Sequence, residues 1–137
     1  MALAQDQALN GLTWKIIRAA MEVHKRLGPG LLESAYRVCL SYELRETGMV
    51  VATGVALPVR YREILLDSSY TMDLVVDSAV VVELKAVETI LPVHKAQLLT
   101  YLKLAGYPVG LLLNFNVPLL KSGVTRLLNT KPSVPNE

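Results

Sequence analysis

Residues 71–87 read Thr71-Met72-Asp73-Leu74-Val75-Val76-Asp77-Ser78-Ala79-Val80-Val81-Val82-Glu83-Leu84-Lys85-Ala86-Val87. Two runs rich in Val and Leu flank a polar break at 77–79, the composition of two strands joined by a tight turn. Side chains alternate faces along a strand, so Glu83 and Lys85 point to the same side. A three-residue loop at 77–79 sets Val76 against Val80 and Val75 against Val81, which brings Asp73 opposite Glu83. One face of an otherwise apolar hairpin then holds two carboxylates and an ammonium.

Like charges directly opposite on a sheet are destabilising by up to about 1 kcal/mol, and by more when desolvated. A positive group is therefore expected between them, and a divalent cation would serve. A solvated hairpin face, with Asp73 salt-bridged elsewhere, would also account for three charges. Against it, Val80, Val81, Val82 and Leu84 leave no polar face, and strands apolar on both sides are usually buried on both sides. Buried charges are rare unless paired or metal-bound.

The 137 residues fit one domain, long enough to bury a substantial core without disulfides. With 52% hydrophobic and 19% charged residues the chain is expected to be folded, not disordered. Its single cysteine, Cys39, cannot form an internal disulfide and lies between Val38 and Leu40, as a small core residue would. The start, Met-Ala-Leu-Ala-Gln-Asp, shows neither a basic, apolar secretion signal nor a membrane anchor, so a cytoplasmic protein with no membrane partner is expected. A net charge of +2 is compatible with a polyanionic partner and does not by itself point to nucleic acid.

Working outward from the hairpin, residues 11–27 carry Leu12, Ile16, Ala20, Val23 and Leu27 at helical spacing. Asn10 is a candidate cap and Gly28-Pro29 a stop. The opposite face bears Lys15, Arg18, Lys25 and Arg26, either a solvated surface or a set of phosphate contacts. A second helix is expected over 31–47, with Glu33, Tyr36, Leu40 and Leu44 on one side. Glu33 in its first turn also suits the helix dipole. Residues 55–61 and 64–66 read as a hairpin turning at Arg62-Glu63, and with 71–76 and 80–87 they predict an antiparallel meander in which Pro58 marks an edge strand.

Pro92 suits the first position of a third helix reaching about Ala105 and ending at Gly106. His94, Gln97 and Tyr101 share one stripe of it, which can be simply the boundary between core and solvent. The apolar run 107–115 reads as a buried strand joining the sheet by a crossover. Residues 118–129 form a further short element, and the tail 130–137, with two prolines, is expected to be disordered.

The order helix, strands, helix, strand, with Glu33, Asp73, Glu83-Leu84-Lys85, Gln97 and Tyr101 placed along it, resembles the PD-(D/E)XK nuclease superfamily. Gly30-Leu31-Leu32-Glu33-Ser34-Ala35-Tyr36 more narrowly resembles the motif of the GxxExxY protein family, as do the downstream Val82-Glu83-Leu84-Lys85-Ala86-Val87, Pro92-Val93-His94 and Ala96-Gln97-Leu98-Leu99-Thr100-Tyr101-Leu102-Lys103 stretches. Met72 stands where the superfamily name has proline, and Lys95 stands near Gln97 where many relatives are expected to be acidic.

The resemblance implies an α/β (α+β) restriction-endonuclease-like domain over residues 1–129, its mixed central sheet flanked by helices. It implies Asp73 and Glu83 as ligands of Mg²⁺ or Mn²⁺, with Glu33 as a further acidic ligand or supporting group. Lys85 would position or activate the attacking water. Gln97 and Tyr101 would correspond to the helical Gln-xxx-Tyr signature of the RecB-like branch, facing Glu33 and the carboxylates.

The residue types fit that chemistry on their own terms. Mg²⁺ prefers oxygen ligands and keeps several waters, so two carboxylates and a backbone carbonyl, that of Leu84 being well placed, suffice to hold it. Lys85 adds positive charge where negative charge develops. His24 and His94 are the only histidines, so no zinc-type cluster competes. The function expected is metal-dependent hydrolysis of DNA or RNA. The alternative is an idle nuclease-like fold that binds nucleic acid or protein, with a protein partner or a second copy of the chain supplying what it lacks.

Overall fold

The computed structural model describes residues 2–66 and 70–130, with side chains from residue 6. Helix α1 (Ala2–Leu27) and helix α2 (Glu33–Glu46) lie against one face of a five-stranded sheet. Helix α3 (Pro92–Ala105) covers the other face. The sheet runs in the order β1 (Val51–Ala56), β4 (Thr71–Val76), β5 (Val80–Lys85), β6 (Val109–Asn114), β7 (Val124–Leu128). The intervening pair β2 (Val59–Tyr61) and β3 (Ile64–Leu66) forms a separate two-stranded ribbon.

Strands β4 and β5 are antiparallel around a loop at Asp77, Ser78 and Ala79, with Val76 against Val80 and Val75 against Val81. The centre of the sheet is apolar on both sides because both faces are covered. Leu74, Val76, Val80, Val82 and Leu84 pack under α1 and α2, while Val75, Val81 and Leu112 pack under α3. Helix α3 is the crossover that lets β6 lie parallel to β5, from Val80 beside Val109 to Lys85 beside Asn114.

Several expectations are corrected. Helix α1 begins two turns before residue 11, so Asn10 is inside the helix and caps nothing; its carbonyl accepts from the Thr13 hydroxyl at 3.1 Å. Of the expected stripe, Ile16, Ala20 and Val23 are buried, whereas Leu27 is exposed. The segment expected as one strand at 55–61 is broken at Leu57-Pro58. Proline supplies no N–H to a ladder, so the chain leaves the main sheet there and β1 begins earlier, at Val51. The meander is therefore not continuous: β1 pairs with β4, and the hairpin around Arg62-Glu63 stands apart. The last element is a 3-10 turn (Leu120–Gly123) running into β7. Of the tail expected to be disordered, 130–137, all but Thr130 lies outside the described residues.

A candidate active site where two strands part

Main-chain pairing of β4 with β5 runs from Val76–Val80 to Leu74–Val82 and stops there. At the next position the side chains take over. The Asp73 N–H donates to Glu83 Oε2 at 2.8 Å, and the Leu84 N–H donates to Asp73 Oδ2 at 2.9 Å. Two carboxylates thus fill the gap between diverging strands, each bonded to the opposite main chain. Because the N–H and C=O of one strand residue point to the same edge, the Leu84 carbonyl also faces this gap.

Glu83 is only 7% exposed. Burial, and then the neighbouring Asp73 charge, push its carboxyl up to about 8. Asp73 is also held above the ordinary carboxylate range, first by burial; its hydrogen bond from Leu84 and the nearby Arg37 act in the opposite direction. Lys85 is half-buried and electrostatically felt by both acids, yet it forms no ion pair among the described residues.

Glu33 is the first residue of α2, and its Oε2 accepts from the Ala86 N–H just beyond β5 at 3.2 Å. It arrives there because of the turn before it. Gly30 has φ of 105°, a backbone region open to glycine and strained for other residues. The Tyr36 hydroxyl closes the turn by donating to Gly28 O at 2.6 Å and accepting from Leu31 N–H at 3.1 Å. Tyr36 is fully buried and stacked on Phe115 at 4.4 Å between ring centres. The tyrosine of the Gly30–Tyr36 motif is thus a brace that aims Glu33.

From the opposite face, Tyr101 is 7% exposed, and burial followed by the Glu83 charge raises its phenol above its ordinary value. Gln97, one turn earlier on α3, acts in the opposite direction. The expectation that both residues turn away from solvent is corrected for Gln97, which is exposed: it lies with Tyr101 in the wall of a cavity of about 340 Å³ between α3 and the β2–β3 ribbon. His94 does not join the site. Its Nδ1 accepts from the Leu91 N–H at 2.9 Å and closes the first turn of α3.

Two residues that the sequence reading passed over complete the arrangement. Arg37 lies one turn after Glu33, on the same face of α2, and approaches Asp73 Oδ1 at 3.5 Å. Asn114, 3% exposed, brackets the chain after β5: its Nδ2 donates to Val87 O at 2.9 Å and its Oδ1 accepts from Val87 N–H at 3.1 Å. An amide inside the run Leu111-Leu112-Leu113-Asn114-Phe115 was the available signal, since a buried polar side chain needs a partner.

Two neighbouring carboxylates, with neither histidine nor cysteine beside them, offer the oxygen donors that a hard cation prefers. Their raised affinity for protons comes first from burial, and for Glu83 next from the Asp73 charge. Arg37 and Lys85 already neutralise part of it. Among the described residues no group of three or more His, Cys, Asp or Glu side chains converges as a metal cluster, so any cation held here would draw remaining ligands from water or main chain.

The fold is that of a nuclease-like α+β domain. The model of the PD-(D/E)XK nuclease superfamily matches residues 10–127, and the chain belongs to that superfamily. Its nucleases generally use divalent metals. Searches of curated proteins and of solved structures returned no match. No helix among the described residues is long and apolar enough to cross a membrane.

Proposed function

We propose that this protein is a cytoplasmic Mg²⁺- or Mn²⁺-dependent nuclease that hydrolyses phosphodiester bonds of DNA or RNA. Asp73 and Glu83 would hold the metal, with the Leu84 carbonyl as a further oxygen donor and Glu33, bonded to the Ala86 N–H, as a supporting acidic group. The observation that carries the reading is the Asp73–Glu83 gap, buried, doubly acidic and flanked by Lys85. The Glu33 motif and the Gln97–Tyr101 pair support placing it near the GxxExxY family and the RecB-like branch.

A divalent cation bound here supplies Lewis-acid stabilisation and a water of lowered pKa. Lys85 would position an attacking water and stabilise charge gathering on the phosphoryl oxygens; as the water oxygen bonds to phosphorus its proton would pass to solvent, and the oxygen leaving from the broken P–O ester bond would take one from solvent. Arg37, half-exposed beside Asp73, is in position to offer its free guanidinium N–H groups to the same phosphate. Tyr101 and Gln97 form the far wall and orient the strand next to the scissile bond.

The converse observation, that Glu83 and Asp73 each spend an oxygen on main-chain N–H groups, favours a second reading in which the site is idle and the fold binds nucleic acid or a partner protein. Thermal melts separate the two. A ligand that binds only the native state adds about 2.7 kcal/mol at a hundredfold excess over its dissociation constant. Wild type should gain stability with millimolar Mn²⁺ and Asp73→Ala should not. No shift in wild type favours the idle site.

A further inference from the structure

An open groove of about 690 Å³ lies outside the acidic gap, between the C-terminal half of α1 and the segment leading into the 3-10 turn, and Arg18, Lys25 and Lys121 line it. None of these three cations forms an ion pair among the described residues. The one acid in the wall, Glu22, is engaged by Arg26. Met21, Pro29, Pro118 and Leu119 supply an apolar surface between the charges.

The cavity is tied to the candidate active site through its own walls. His24 is buried, and its Nε2–H donates to Val117 O at 2.8 Å, which fastens the strand-to-turn segment onto α1. Three residues before Val117, Asn114 brackets the end of β5. On the other side Gly28 lines the cavity, accepts from Tyr36, and precedes Glu33 by five residues. Even fully extended, five residues reach about 18 Å, roughly five phosphate steps along one strand of a duplex.

We infer that this cavity is a phosphodiester-strand binding site, in which Arg18, Lys25 and Lys121 contact backbone phosphates of a nucleic acid several nucleotides from the bond held at Asp73 and Glu83. The inference rests on the proposal that the acidic gap acts on nucleic acid. Cations from two separate segments, spread across apolar walls, match a chain of spaced phosphates and sugars better than a single small anion. Their charge also answers a difficulty: net +2 overall gives little attraction for a polyanion, whereas three unpaired cations in one cavity give a local one.

The test is equilibrium binding of labelled 20-nucleotide single-stranded DNA and RNA, and of the corresponding duplexes, across a salt series. A Glu83→Gln background prevents cleavage. The combined Arg18→Ala, Lys25→Ala, Lys121→Ala variant should bind at least tenfold more weakly at low salt. Its log–log salt dependence should be shallower by about 2 for single strands and nearer 3 for duplexes, since each phosphate contact contributes about 0.7 and 0.9 respectively.

An equal charge loss elsewhere, Arg60→Ala, Arg62→Ala, Lys103→Ala, should leave the slope nearly unchanged, and Arg18→Lys should retain binding. Melting curves confirm folding of each variant. Equal effects from both triple variants, an unchanged slope, or no binding by the parent would overturn the inference. Cavity-dependent binding by a protein that cuts nothing would support it while rejecting the cleavage reading. Cleavage of long substrates unaffected by the cavity substitutions, with Glu83 and Lys85 intact, would do the reverse.

Discussion

Glu83 accepts a hydrogen bond from the Asp73 main chain at 2.8 Å, at the first position where β4 and β5 no longer pair through their backbones. The carboxylate stands in for a missing carbonyl of the ladder. It therefore helps end the sheet and also brings negative charge to the opening.

The first prediction follows from the cost of that charge. The Glu83 carboxyl titrates at about 8 in the fold against an ordinary value of 4.5, so the folded state retains a proton that the unfolded chain releases. The associated stability is fully present below the unfolded value and is lost as pH rises towards 8. Without divalent metal, the melting temperature of wild type should fall between pH 5 and pH 8 more steeply than that of Glu83→Gln. Parallel curves for the two proteins would refute the linkage. Adding Mn²⁺ should stabilise wild type more at pH 8 than at pH 5, because protons compete with metal for the same oxygens.

Tyr36→Phe should destabilise the protein by about 1–3 kcal/mol, the cost of leaving buried polar groups unsatisfied. The hydroxyl serves both Gly28 O and Leu31 N–H. Urea titration measures the loss, and the same variant should bind Mn²⁺ more weakly only if Glu33 takes part in holding it. An unchanged denaturation midpoint would remove Tyr36 as the brace of the turn.

Gly123→Ala should be among the most damaging small substitutions. A Cβ there would stand 2.2 Å from the Asn114 carbonyl oxygen, a backbone atom that cannot move without disturbing the bracket on Val87. Strain of this kind exceeds the roughly 1 kcal/mol of an average substitution. Calorimetry of the variant should show a marked drop in melting temperature, and a change of less than one degree would contradict the close packing of the turn on β6.

The centre of this structure was legible because its constraints are local. Period-two alternation and the polar break at 77–79 set the β4–β5 register, and with it the meeting of Asp73 and Glu83. Pro92 and Gly106 marked the ends of α3. Less legible was whatever depends on distant partners. Gly11 read as a helix start, although α1 continues through it from Ala2. Residues 51–54 include Ala52 and Gly54, weak strand formers, and become β1 only because β4 offers them an edge. Arg37 looked like one more basic residue until α2 was laid across β4, and Asn114 was hidden in its apolar run. The extra charges of the cavity come from α1 and the 3-10 turn, about a hundred residues apart in sequence.

The central claim, that the acidic gap performs phosphodiester hydrolysis, is tested most directly by Mn²⁺-dependent cleavage of DNA and RNA, single- and double-stranded, with internal and end labels, by wild type, Glu83→Ala and Lys85→Ala. Metal binding by wild type and Lys85→Ala is measured in parallel by calorimetry. Lys85→Ala should still bind metal while cleavage falls by about a hundredfold or more, as when one electrostatic donor to a transition state is removed. Glu83→Ala should lose both. Cleavage surviving at the wild-type rate in both variants, or no cleavage of any substrate by wild type with metal bound, would contradict the account.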